Sequence, residues 1–263
     1  MASVNISWSV LDNYASGARA LGDQTASAIA QSLAAIDVTD REMVEDLVTA
    51  ACEAASQAGS DYASVFYRGL SILQTGEDVD FTAMSPYDRR ATLVAIRGIY
   101  NQAEGEDGDL DEGMVRERLV QRVQFEANRA TKVGVWRAGQ NDGRDVRYAR
   151  VPTGTETCAW CLMTAGLGYW YMTEEAASHT HRSCDCVVVP SIGRGDVSIE
   201  GYDSTVYRDM WRNANEMRAN GDLPKEWSDH IARERARHRE QGLPYRDDTN
   251  GTLYVMRKLH GLK

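Results

Sequence analysis

Thr157-Cys158-Ala159-Trp160-Cys161 and, about twenty residues further on, His181-Arg182-Ser183-Cys184-Asp185-Cys186-Val187-Val188-Val189-Pro190 hold four of the chain's five cysteines. With His179 between them, the 29 residues from Cys158 to Cys186 also contain two of its five histidines. Two close pairs of thiol and imidazole groups separated by such a loop suit a structural zinc site. Each pair sits on a tight turn and offers two of the four tetrahedral ligands, so the loop is closed without a large core. The simplest ligand set is Cys158, Cys161, His181 and Cys184. Cys186 is the alternative fourth ligand, because residues 184 and 186 project to the same side of an extended segment. Two disulfides, or reduced thiols that bind nothing, are the competing readings. The first residues show no basic, apolar, cleavable leader pattern, so a reducing compartment and a metal are expected. Cys52, alone in an Ala-rich stretch, reads as a small core residue.

Outward from the cysteines the pattern is that of strands. Val146, Tyr148 and Val151 alternate with Arg147, Ala149 and Arg150 before Pro152, which predicts a strand ending at a turn. Strand-like runs recur at Tyr169-Trp170-Tyr171 and Val187-Val188-Val189-Pro190. A short helix is expected after Cys158, through Leu162 and Met163 to the Gly166-Leu167-Gly168 break. Residues 141–201 therefore read as a small α+β unit whose strands are stitched together by the Cys/His cluster.

The flanks are helical. From Tyr14 to Ile36, Ala18, Leu21, Ala26, Ile29, Ala30, Leu33 and Ile36 recur at three- and four-residue steps. Thr39 or Asp40 is placed to cap a second helix with Met43, Val44, Leu47, Ala50, Ala51 and Ala54 as its stripe. A third stretch is expected over 60–73, and Ser85-Pro86 is expected to open a fourth, with Leu93, Ile96, Ile99 and Tyr100 facing inward. The longest helix begins near Gly113 and runs through Leu119, Val123, Phe125, Ala130, Val133 and Trp136. Charge marks the boundaries: residues 1–103 carry 6 basic and 13 acidic side chains, residues 104–112 six acidic and no basic ones, and the rest a net charge of +3. The expected organisation is a helical region over 1–103, an acidic loop over 104–112, a long helix over 113–140, the Cys/His unit over 141–201 and a helical region over 202–263. In that last region Val206–Ala219, Trp227–Gln241 and a shorter segment after Asp248 read as helices separated by Pro224 and Pro244. The fold class is α+β, predominantly helical.

A chain of 263 residues with 43% hydrophobic content can build a real core, and no apolar run reaches membrane-spanning length. Its net charge of −10 argues against wholesale coating of nucleic acid. Sites for chemistry are not apparent. No His-x-Glu precedes the Cys-x2-Cys, as a zinc deaminase needs; no Gly-x-Ser-x-Gly elbow and no phosphate-cradling Gly-x4-Gly-Lys loop occur. A cysteine nucleophile with a histidine base, Cys158 with His181, is weaker than ligation by clustered thiols. His230, Glu234 and His238 share a helical face, but the metalloprotease spacing is missing. Arg233, Arg235, Arg237 and Arg239, interleaved with acids, read first as a solvated helix and second as a nucleic-acid contact. The expectation is a protein that is not an enzyme, has no small-molecule substrate and does not enter a membrane.

The run Arg147-Tyr148-Ala149-Arg150-Val151-Pro152-Thr153-Gly154, then Cys158-x2-Cys161, then His181-x2-Cys184-x-Cys186 followed by an apolar strand, resembles the MuF-like head morphogenesis module of tailed phages. The resemblance covers about 50 residues, 141–192. It implies a minor capsid protein inside the head, associated with the portal protein and other head proteins and in some cases with packaged DNA. It places the chain in the virion, near the portal vertex, after synthesis in the host cytoplasm. Only Cys158, Cys161, His181, Cys184 and Cys186 fall on the family signature, and their implied role is to hold the module closed. The portal-facing surface is assigned to the helical N-terminal half. Two enzymatic readings attach to the same resemblance, a capsid maturation protease and a MuF-associated toxin. A zinc-containing nucleic-acid-binding protein is the further alternative.

Overall fold

The structure is a computed structural model and describes residues 3–79, 84–105, 107–154, 157–180, 184–193 and 195–262. Strand β1 (Val4–Ile6) leads into helix α1 (Trp8–Ala34), followed by α2 (Arg41–Thr75), α3 (Arg89–Ala103) and α4 (Glu112–Asn141). The chain then changes to strand β2 (Val146–Pro152), short helices α5 (Ala159–Ala165) and α6 (Glu174–Ser178), and strands β3 (Cys186–Ile192) and β4 (Val197–Ile199). Helices α7 (Ser204–Asn220) and α8 (Lys225–Glu240), a π-helical turn over Asp247–Gly251 and helix α9 (Thr252–His260) complete it. The architecture is predominantly helical α+β, as the periodicity predicts.

Aspartates start the helices. The carboxylates of Asp40, Asp88 and Asp111 accept from the backbone N–H three residues on, at 3.1, 3.0 and 2.9 Å, and Asp203 caps α7 through Thr205 N–H at 2.9 Å. Each satisfies a donor that the first helical turn leaves without a partner. This resolves the first cap of α2 in favour of Asp40. It also moves the start of α3: Pro86 lies before that helix, where its carbonyl accepts from Arg129 at 2.6 Å, and the cap is Asp88, whose carboxylate accepts from Ala91 N–H, while Ser85 bonds Tyr87 N–H instead.

The two helical stretches expected over 39–54 and 60–73 are one 35-residue helix, α2. Ser56, Gly59 and Ser60 look like a break because they favour turns in isolation. In the fold they are buried, and they form the seam against α4. A Cβ built on Gly59 would lie 2.6 Å from the Ala127 carbonyl oxygen, and one on Gly134 would lie 2.6 Å from Ala63 Cβ. The two backbones can approach this closely only where no side chain intervenes. Facing small residues thus offset, through packing, the helix propensity they cost.

Two apolar clusters fill the bundle. One lies among α1, α2, α3 and α4, around Leu33, Val48, Ile96, Tyr100 and Leu119. The other joins α1, α2 and α4 to the strands through Leu11, Tyr67, Val135, Tyr148 and Val188. Strands β2 and β3 pair antiparallel over their full length, from Val146 opposite Ile192 to Pro152 opposite Cys186. Of the expected strand at 169–171 only Trp170 pairs, through a single bridge to Tyr148. Strand β1 pairs in parallel with β4, which ties the chain's start to the segment after the cysteines. A third cluster packs α5 against α7, α8 and α9 through Ala159, Leu162, Ala214, Ile231 and Met256. Among the described residues, no helix is long and apolar enough to cross a membrane.

Candidate metal centre

Two short pieces of chain meet at the cysteines. Cys158 is the N-cap of α5, and its sulfur accepts from the Cys161 N–H at 3.5 Å. One helical turn later Cys161 points to the same side, which is what the x2 spacing of a helix start provides. Cys184 and Cys186 lie at the entry to β3. Their sulfurs are 3.1 Å apart, and that of Cys161 is 3.7 Å from Cys184 and 3.3 Å from Cys186. No disulfide joins the described cysteines.

Asp185 locks the two cysteine segments together. Its carboxylate accepts from the Thr157 hydroxyl at 2.8 Å, and its backbone carbonyl accepts from the Thr153 hydroxyl. Gly154 makes this approach possible, since a Cβ there would lie 2.5 Å from the Asp185 carboxylate.

Cys161, Cys184 and Cys186 could hold a metal ion, their sulfurs lying within 4.8 Å of one another. A zinc ion with Zn–S bonds of about 2.3 Å sets its sulfurs about 3.8 Å apart at the corners of a tetrahedron. The observed separations of 3.1 to 3.7 Å are close to that edge, so the donor set fits such an ion. Cys158 packs in the same cluster, and its thiol bonds to that of Cys161. The predicted ligand His181 lies outside the described residues. His179 is placed otherwise: its imidazole stacks on Trp160 at 3.8 Å between ring centroids.

Alternation along β2 predicts an outward Arg150, and the structure corrects this. Arg150 is fully buried. Its Nε donates to Cys186 Sγ at 3.0 Å and Nη2 faces Cys184 Sγ at 3.9 Å, while Ala176 and His179 carbonyls accept from Nη1 and Nη2. The guanidinium also lies over the Trp160 ring, 4.9 Å from its centroid. A signal was present in the sequence: the unbroken apolar run of β3 reads as a strand buried on both faces, so its partner must be buried too.

The electrostatics follow from this packing. Hydrogen bonds from the Cys161 and Cys186 thiols, helped by the charges of Lys132 and Arg150, hold the Cys184 thiol well below the usual thiol range. Burial pushes the Cys186 thiol up to about 11. Burial alone would weaken the hold of Arg150 on its proton, but its interaction with the cysteine sulfurs, that of Cys186 first, more than reverses it. A cavity of about 20 Å³ beside Cys184 and Cys186, lined by Tyr14, Lys132 and neighbours, has room for little more than a water.

The second histidine set is not a metal site in this geometry. His230 stacks on Tyr254 at 4.1 Å, the His238 ring bonds the Pro244 carbonyl at 3.1 Å, and Glu234 pairs with Arg237 at 2.5 Å. All three line a groove that also takes in Trp160.

A family model described as VG15 protein matches residues 5–214, from β1 to within α7, so the bundle and the cysteine centre fall inside one match and α8 and α9 lie beyond it. No curated protein and no solved structure matches the chain. With four-fifths of its length covered by that match, the chain belongs to the VG15 protein family, a family of phage gene products.

Proposed function

We propose that this phage protein is a MuF-like minor capsid protein, a structural component of the head interior that associates with the portal and holds one structural zinc ion in its cysteine centre. The observation that carries this reading is the closed character of the centre. The thiols face one another and a buried arginine, and the adjoining cavity of about 20 Å³ leaves no room for a substrate. A catalytic zinc keeps an open coordination position, whereas a structural one is enclosed. Zinc here would join α5 to the start of β3, and α5 carries the packing of α7, α8 and α9 on its other side. The membership in a phage family supports the capsid role.

Metal analysis of protein purified without chelator is the first test. One zinc per chain is expected, lost in the double variant Cys158→Ser, Cys161→Ser together with a fall in stability. Metal-free wild-type protein with the same stability as that variant would overturn the zinc reading. The portal contact is tested separately. The surface offered by the N-terminal helices includes the exposed apolar residues Val65 and Val94, 69% and 63% accessible. Val65→Asp and Val94→Asp leave the bundle interior untouched and should abolish co-purification with the portal from assembled heads. Undiminished incorporation of both variants would reject that face as the contact.

A further inference from the structure

We propose that the metal centre works as a latch: an ion held by Cys161, Cys184 and Cys186 fixes α5 in place and thereby docks the C-terminal helices α7, α8 and α9 on the rest of the chain. This rests on the zinc reading above and goes further, because it names the part of the molecule that is released when the ion is lost.

The C-terminal helices enclose an apolar cluster of their own, with Ala214, Ile231, Val255 and Met256 buried in it. The buried residues that the rest of the chain adds to this cluster are Ala159 and Leu162, both on α5. Where α7 and α9 pack against the rest of the chain, they pack chiefly on that helix. The polar ties fall at its end: Tyr202 Oη donates to the Ala165 carbonyl at 2.6 Å, and Arg208 Nε to the Gly166 carbonyl at 3.2 Å. Two grooves open at this joint. One, of about 440 Å³, is lined by Trp160 together with His230 and Tyr254; the other, of about 500 Å³, by Met163 and Leu167 together with Trp211. Space of this size means missing contacts, so the joint is narrow and the helices can part from it as a body.

Helix α5 has seven residues, too few to hold its geometry alone in water, so its anchors set its position. It lies on β2, where the Arg150 guanidinium sits over Trp160, and it meets the entry to β3 through the Cys161 sulfur, 3.7 Å from that of Cys184 and 3.3 Å from that of Cys186. Between thiols such contacts are weak hydrogen bonds. An ion replaces them with metal–sulfur bonds, each bound thiol yielding its proton to solvent, and ties the first turn of α5 to a strand that belongs to the core through Val187, Val188 and Val189. The bundle holds together without this tie: among the described residues, neither of its apolar clusters includes a cysteine of the centre. Ion and C-terminal helices therefore use the same ordered α5, and whichever binds first spares the other the cost of ordering it. Coupling of this kind is reciprocal and typically about 5- to 150-fold.

Amide hydrogen exchange of the full chain, read peptide by peptide at free zinc concentrations set with a chelator, tests the latch. Saturating zinc should raise protection in α5, α7, α8 and α9 by about 5- to 150-fold over the metal-free protein and leave α2 and α4 unchanged. Leu162→Asp spoils the apolar joint from the α5 side without removing a sulfur. In that variant α7, α8 and α9 should exchange as they do in metal-free wild type, and zinc should bind more weakly by the same factor. Leu162→Ala gives both readings in milder form if Leu162→Asp does not fold. Equal protection of α7, α8 and α9 with and without zinc, loss of protection in α2 and α4 when zinc is removed, or wild-type zinc affinity in the Leu162 variants would overturn the latch. Failure of wild-type protein to bind zinc would instead overturn the zinc reading on which it stands.

Discussion

Two glycines ten residues apart on α2 should respond to the same substitution with opposite signs. Gly59→Ala and Gly69→Ala both gain helix propensity, worth about 1 kcal/mol in a helix interior. At Gly69 nothing lies within 4 Å of the added Cβ, so that gain is the whole effect. At Gly59 the Cβ meets the Ala127 carbonyl oxygen at 2.6 Å and Ala130 Cβ at 2.8 Å. Ordinary carbon contacts are about 3.5 to 4.0 Å, so α2 and α4 must part by roughly 1 Å along a seam that is otherwise fully packed. Overpacking of this kind costs about 1 to 3 kcal/mol, which cancels or exceeds the propensity gain. The two variants should therefore differ by about 1 to 3 kcal/mol, with Gly69→Ala above wild type and Gly59→Ala at or below it. Urea unfolding followed by circular dichroism reads the difference directly, and at about 2 to 4 °C per kcal/mol it is also visible in a thermal melt. Equal stabilisation of the two variants would refute the close approach of these helices.

Other side chains carry sharp expectations as well. Glu126 is 1% exposed and pairs with both Arg122 and Arg129, which in turn hold Thr92 and the Pro86 carbonyl, so Glu126→Ala should cost about 3 to 5 kcal/mol by leaving two part-buried cations unpaired. A loss below about 1 kcal/mol in urea unfolding would show that the pair is not buried in effect. Asp142 gives a pH signature. Burial by itself would raise its carboxyl, but hydrogen bonds from Arg144 and Tyr67 outweigh burial and hold it below the usual range. A lowered folded value means stability that is present above the ordinary carboxylate value of about 3.9 and lost as pH falls through the folded value. Asp142→Asn should therefore lower stability at neutral pH and flatten the acid limb; an unchanged slope below pH 4 would contradict this.

Much of the fold could be read from local chemistry. The helix stripes, the aspartate caps and the strand at 146–152 follow from periods of 3.6 and 2 and from side chains that reach their own backbone. Misreadings arose where a residue's local preference was outweighed from a distance. Gly59 and Ser60 look like a helix break until α4 lies against them, and Pro86 looks like a helix start until Asp88 is seen to bond Ala91 N–H. The pairing of β1 with β4 was illegible, since three-residue strands almost 200 positions apart leave no periodic trace. The cysteine centre was legible as a cluster, because ligand spacing is a local property, whereas the burial of Arg150 beside it was signalled only indirectly, by the unbroken apolar run of the strand it pairs with.

What the sequence alone determined is the inventory: which segments are helical, and which short turns present thiols in pairs. Tertiary structure decided the company those groups keep. Pairing of β2 with β3 carries Arg150 inward to the sulfurs, and the packing of α4 brings Lys132 to the small cavity that Cys184 and Cys186 also line. The reason is physical: spacing along a chain sets the geometry within one turn or strand, whereas the charge around a buried site is summed over elements that meet only when the chain has folded.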